Sequence, residues 1–293
     1  MRSAIAFLVV FSSAAAAQAR DIYVNNLAGD DALSGRAPRT EGRDSGPVKT
    51  IAKATRLATP GDRIVLAKTS EPYREQVALQ GGKCSGVSEN VPFVFEGNGA
   101  VIDGSIPVAD DAWESVGGDL FRFAPEVKSH QVLLLDGQPA RRVAATPDGG
   151  LPALAPLDWC LLRGVIYFRT EAGRVPQDYF PACAGAWTGI TLYDVHDVVV
   201  QNVSVRGFAF DGINAHDKAF NARLEGVLLE SNGRSGISVG GASRVSLLDC
   251  HVQGSFEAQL RTEGFSHTHI AGCRFDATTA PEIVRHGGEV ERD

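Results

Sequence analysis

The sequence predicts an all-β, parallel β-helix solenoid, and three observations predict it. Two columns of residues recur with one period from Gly189 onward. Gly-Ile-Thr-Leu (189–192), Gly-Ile-Asn-Ala (212–215), Gly-Ile-Ser-Val (236–239) and Gln-Leu-Arg-Thr (259–262) are offset by 23, 24 and 23 residues, while Val203, Val227, Cys250 and Cys273 are offset by 24, 23 and 23. Within each short segment apolar and polar residues alternate with period 2, which excludes a helical repeat. The composition agrees: 32 Gly, a single Met, and an apolar set led by Val, Ile, Leu and Phe suit short strands joined by tight turns. One such repeat cannot bury its apolar face alone, so coils must stack, at about 4.8 Å, around a continuous apolar interior.

The elements follow in chain order. Arg2, an apolar stretch over residues 4–11 and Ala17-Gln18-Ala19 read as an export signal over residues 1–19. Its apolar run is far short of the roughly 18 to 20 residues that span a bilayer, so no membrane span is expected and the location is secreted or periplasmic. The remainder, 20–293, reads as one β-helix domain. In 20–104, Ile51, Ala54, Leu57 and Ala58 have helical spacing and Pro60-Gly61 stops the helix. Short strands follow near 64–66, 77–79, 93–95 and 101–102, so this part is an N-terminal cap with the first coils. Residues 105–187 break the rhythm with Pro147, Pro152, Pro156, Pro176 and Pro181 and read as coils with a small irregular insert. Residues 188–286 are the regular coils.

The net charge of −7, with no Lys/Arg block, lacks the footprint of a nucleic-acid binder, although a cleft can be locally basic on an acidic protein. The five cysteines match no zinc spacing. Cys250 and Cys273 stack in adjacent coils, where Cβ atoms stand about 4.8 Å apart, beyond the roughly 3.5 to 4.5 Å of a disulfide, so free thiols are expected there. Cys160 with Cys183 is the pair expected to bridge, if one does.

Tyr23-Val24-Asn25, Gly29-Asp30-Asp31, Ser34-Gly35, Gly46-Pro47-Val48-Lys49-Thr50-Ile51 and Pro60-Gly61-Asp62-Arg63-Ile64, with Gly97-Asn98-Gly99-Ala100-Val101-Ile102-Asp103-Gly104, carry a family resemblance. So do Val132-Leu133-Leu134-Leu135-Asp136-Gly137 and Val165-Ile166-Tyr167-Phe168. On these motifs the chain resembles the pectin-lyase-like, single-stranded right-handed parallel β-helix proteins of secreted bacterial type. The resemblance implies carbohydrate as partner, and it leaves lyase, glycosidase, epimerase and non-catalytic roles open. Two departures from the family imply an incomplete cleft. The column that often carries an asparagine ladder reads Asn202, Gly226, Asp249 and Gly272, and the chain ends at Asp293 soon after a last coil near Ile283.

If Ile213, Ile237, Leu260 and Ile283 point inward, alternation turns Thr191, Tyr193, Asn214, His216, Ser238, Gly240, Arg261, Glu263, Val284 and His286 outward on one ribbon. A lyase acting on a uronic-acid chain must neutralise a carboxylate, remove the proton beside it and protonate the leaving oxygen. Arg261 suits the first task by two-pronged contact, and His216 or Lys218 the second. Tyr193, Asn214, Glu263 and His286 would touch the substrate. Asp211 and Asp217, with Glu263, are the candidate ligands for calcium, a hard ion that takes oxygen ligands and the one cofactor considered. A glycoside hydrolase would use Asp211 and Glu263 as its two carboxyl groups. A non-catalytic carbohydrate-binding or structural envelope protein would use Tyr193, Trp187 or Trp159 as platforms.

Overall fold

The computed structural model describes residues 19–293. The expected export signal therefore lies, but for Ala19, outside the described residues.

A full coil contributes three parallel strands, and the coils stack into three walls. Wall A joins 77–80, 190–193, 213–216, 235–239, 258–263 and 283–287. Wall B joins 21–24, 63–66, 93–96, 198–201, 222–225, 244–248, 267–271 and 289–292. Wall C joins 100–103, 203–206, 228–230, 251–253 and 274–275.

The register is the one the period predicts. Ile190, Ile213, Ile237, Leu260 and Ile283 stand in one wall A column, and the first four have no exposure. Val205, Leu229, Val252 and Phe275 form the matching column of wall C. Both columns enter one hydrophobic core that runs the length of the stack.

The corner between walls B and C explains the interrupted asparagine column. Asn202, Gly226, Asp249 and Gly272 all have φ between 52° and 65°. The corner requires a left-handed residue in every coil, and Asn, Asp and Gly are the types that accept one at least cost. Backbone conformation, not a side-chain ladder, unites this column.

The helix Ile51–Leu57 starts at Thr50, whose side chain accepts from the Lys53 N–H at 3.0 Å, and buries Ile51 and Ala54 in the core. No other α-helix occurs among the described residues, and none there is long and apolar enough to cross a membrane.

The chain leaves the stack after wall C and returns at wall A. Ser105–Pro107 departs beside the returning Ala182–Ala184, antiparallel to it, and Gly185 donates to Gly104 at 2.9 Å. The two ends thus meet, and strand 77–80 pairs directly with 190–193 as though nothing intervened. Between them lie two antiparallel sheets of four strands each, with a core of their own around Trp159, Ile166, Phe168 and Leu133.

This excursion folds back on the corner between walls C and A. A Cβ at Gly233 would stand 1.4 Å from the His130 carbonyl oxygen, so only glycine permits the approach. The His130 ring then meets Phe210 edge-on, 4.7 Å between centroids.

All five cysteines are free thiols, which corrects the expected Cys160–Cys183 bridge. Cys160 stands opposite Tyr167 in its strand pair, so it faces away from its neighbour Trp159. Cys183 packs in the cluster that contains Trp159, on the other face.

Candidate functional site

The outer face of wall A is built in rows, one residue from each coil. The first row is Trp187, Phe210, Arg234 and Glu257, stacked by hydrogen bonds from Phe210 N to Trp187 O, Arg234 N to Phe210 O and Glu257 N to Arg234 O. Its side chains touch in sequence. The Trp187 and Phe210 rings are 5.1 Å apart, and the Arg234 guanidinium lies 4.9 Å over Phe210. The excursion closes the row, since His130 Nδ1 meets Glu257 Oε1 at 2.7 Å. That hydrogen bond, outweighing partial burial, holds the Glu257 carboxyl below its usual range, with help from the charges of Arg142 and Arg261.

Two further rows carry the residues the sequence nominated. One runs Thr191, Asn214, Ser238, Arg261 and Val284. In the other, Tyr193 pairs with His216 and Glu263 with His286, and Gly240 lies in the coil between. Gly240 opens space here: a Cβ would stand 2.3 Å from His216 Cε1, so the imidazole occupies the place of a missing side chain. His216 Nε2 also lies 3.1 Å from Ser238 Oγ. Arg261 Nε donates to Glu263 Oε1 at 2.5 Å. Burial alone would raise the Glu263 carboxyl, but the Arg261 hydrogen bond and charge, with His216 and Arg234 farther off, bring it below its usual range. The structure therefore groups Arg261, Glu263, His216 and Asn214. Tyr193 and His286 flank them, both exposed.

Three nominated residues lie elsewhere or are already engaged. Asp211 has no exposure. Its Oδ1 accepts from Arg234 Nε at 3.0 Å and from the Ser235 hydroxyl, and its Oδ2 from Asn214 Nδ2 at 2.8 Å and from Arg234 Nη2. Every lone-pair direction is thus filled by a donor, which leaves none for calcium or for an acid of hydrolysis. Asp217 and Lys218 occupy the turn between walls A and B, both left-handed, with φ of 52° and 70°. Lys218 pairs there with Asp194 at 3.8 Å. Asp211 and Asp217 stand at opposite ends of an extended segment, on the order of 16 to 20 Å apart, and cannot share an ion. No group of three His, Cys, Asp or Glu residues suited to a metal occurs among the described residues.

The sequence names Trp187 as a candidate platform, but the row that it opens was missed although its signal was present. Trp187, Phe210, Arg234 and Glu257 are offset by 23, 24 and 23 residues, the period of the columns beside them. His130 has no such signal, because it comes from outside the repeat. A second period-matched row, Arg206, Glu230, Gln253 and Asp276, lies on wall C beneath the turn around Gln138, where it lines a cavity of about 430 Å³. There Arg206 pairs with Asp103 at 3.0 Å and Gln253 donates to Glu230 at 2.7 Å. A neighbouring recess of about 490 Å³ lies between Arg141 and Arg142 on the excursion and Phe256 on the coil.

A family model described as the right handed beta helix region matches residues 183–290. No curated protein matches the chain by sequence. Among solved structures, XylC in complex with xylose is 14% identical with a TM-score of 0.44, covering 93% of this chain and 70% of that one. A glycoside hydrolase is 10% identical with a TM-score of 0.43, covering 94% and 96%. A rhamnogalacturonan lyase is 11% identical with a TM-score of 0.34; 92% of this chain aligns, over 62% of that one. Three parallel walls closed by a recurring left-handed corner make this chain a parallel β-helix, and over residues 183–290 it matches the right handed beta helix region.

Proposed function

We propose that this is an exported protein that binds an acidic polysaccharide across the outer face of wall A and cleaves it by lyase-type elimination. One observation carries the reading: a row that opens on the exposed Trp187 and continues through the half-buried Phe210 and Arg234 ends in the His130–Glu257 pair and runs beside Arg261 and His216. Aromatic faces suit the apolar faces of sugar rings. Arg261 commits its Nε to Glu263, and its two terminal nitrogens remain to grip a uronate carboxylate. Holding that carboxylate acidifies the carbon beside it, and His216, when neutral, accepts the proton. The electron pair becomes a carbon–carbon double bond as the glycosidic carbon–oxygen bond breaks, and the leaving oxygen takes a proton. His130, held by Glu257, is the donor this reading assigns. Lys218, on its corner turn, and the calcium pair Asp211 and Asp217 have no part in it.

The second reading is hydrolysis in the wall C cavity by Glu230 and Asp276. They stand two coils apart, roughly 10 Å at the strand spacing, just past the 6.5 to 9.5 Å that suits inversion. A panel of acidic and neutral polysaccharides tests both readings. Absorbance of unsaturated sugar ends means elimination, new reducing ends without it mean hydrolysis, and co-sedimentation without product means a non-catalytic binding protein.

A further inference from the structure

We infer that the recess between Arg142 and Phe256 is an oxyanion subsite, where Arg142 takes a carboxylate or a sulfate ester carried by the glycan; as a glycan subsite it rests on the acidic-polysaccharide reading above. The argument begins with charge. The enclosed carboxylates among the described residues each hold an arginine: Asp62 holds Arg20, Glu96 holds Arg63, Asp103 holds Arg206, Asp158 holds Arg141 and Asp211 holds Arg234. Arg142 has no such mate. Among the described residues no ion pair or hydrogen bond engages its guanidinium, and the neighbouring Asp158 is consumed by Arg141. Glu257 contributes charge at a distance, but its carboxylate is bonded to His130.

What holds Arg142 in place is aromatic. Its guanidinium carbon lies 5.4 Å from the Trp159 ring centroid and 5.5 Å from that of Phe256, and these rings meet edge-on at 5.7 Å. Contact with ring faces fixes the guanidinium while leaving its N–H fork without acceptors. Burial pushes the group down from its ordinary value, the sign of a charge that has lost water and gained no counter-ion. A desolvated cation without a partner is costly to keep in a fold. The fork borders a recess of about 490 Å³, within the range of small-molecule sites, which adjoins the wall C cavity through Pro139 and Gly254. A planar fork with free donors in a recess of that size is matched by a two-oxygen anion.

Thermal unfolding of the whole protein tests this, with sodium galacturonate, sodium sulfate and sodium chloride compared at equal ionic strength. Galacturonate or sulfate is expected to raise the melting temperature above chloride. Arg142→Met is expected to abolish the rise while melting no lower than wild type in chloride, because it removes a charge that has no partner. A rise with galacturonate alone assigns a carboxylate, and a rise with sulfate alone assigns a sulfate ester. No rise with either anion, or a rise that survives in Arg142→Met, overturns the site. If Arg142→Met does not fold, Arg142→Lys keeps the charge, loses the fork and carries the same comparison. Hexagalacturonate affinity should fall on the order of tenfold in the variant. An anion effect that depends on Arg142, with no polysaccharide bound or cleaved, keeps the anion site and removes the glycan reading. Cleavage at unchanged KM in Arg142→Met does the reverse.

Discussion

Arg234 lies in the coil next to Asp211 and grips its carboxylate with two nitrogens, Nε to Oδ1 at 3.0 Å, while no part of Asp211 is exposed. Removing the acid leaves a largely enclosed guanidinium without its hydrogen-bonded counter-charge, with only the more distant Glu257 and Glu263 to offset it, and a broken pair of this kind costs about 3 to 5 kcal/mol. Asp211→Ala should therefore lower the midpoint of urea unfolding by that equivalent with little change in slope. A loss under about 1 kcal/mol would mean that the pair behaves as an exposed one.

Leu260 sits between Ile237 and Ile283 in the wall A column with no exposure. Leu260→Asp places a charge in the stacked interior without a partner, a cost of several kcal/mol. Collapse of soluble yield, or loss of cooperative melting by circular dichroism, is the expected outcome.

Arg261→Ala should weaken acidic-polysaccharide binding more than tenfold, because one charged two-pronged contact contributes about 1.5 to 3 kcal/mol. Lys53→Ala, on the helix Ile51–Leu57, should leave binding unchanged. Isothermal titration of both variants, each checked for folding, makes the comparison. Equal affinities would take Arg261 out of the site.

Cys273 should be the reactive thiol. Hydrogen bonding from Cys250, its backbone N–H at 3.3 Å included, holds it below its ordinary value against the opposing effect of burial. Burial pushes Cys183 up to about 12. Iodoacetamide at neutral pH should label Cys273 well ahead of Cys183, and Cys250→Ala should move the labelling midpoint upward. Mass spectrometry of the peptides reads both effects.

The contact between the excursion and the coils should weaken in acid. His130 lowers the Glu257 carboxyl, so the stabilisation is complete above the unfolded-state value and is lost as pH falls through the lower folded one. Hydrogen exchange around residues 127–133 should quicken below about pH 4.5 in wild type. Glu257→Gln should remove that acid-dependent step.

Repetition governed what the sequence made legible. Ile190, Ile213, Ile237 and Leu260 repeat one environment four times, so period and parity together located the interior and the outward rows beside it. Arg261, Glu263 and His216 followed from that grid. Asp211 did not, because its use depends on Arg234, a side chain of the next coil that folds back across the wall. His130 and Arg142 were beyond reach for another reason. They belong to the excursion, whose placement is set by single close contacts such as Gly233 against the His130 carbonyl, and a single contact leaves no periodic trace.

The meeting of the excursion's two ends bears on how the chain finds its fold. Val77 must pair with Ile190 before the first coils and the regular coils become one stack, and the whole excursion is the loop that this pairing closes. Closure entropy rises only with the logarithm of loop length, about 0.6 kcal/mol per doubling, so the delay is modest if the loop has already compacted around its own core. The order expected from loop length is the regular coils first, whose neighbouring strands lie 23 or 24 residues apart, and the seam at Val77 and Ile190, which spans the whole excursion, last. It also makes the excursion replaceable: a segment of any length whose ends meet at Gly104 and Gly185 leaves the stack above and below it unchanged.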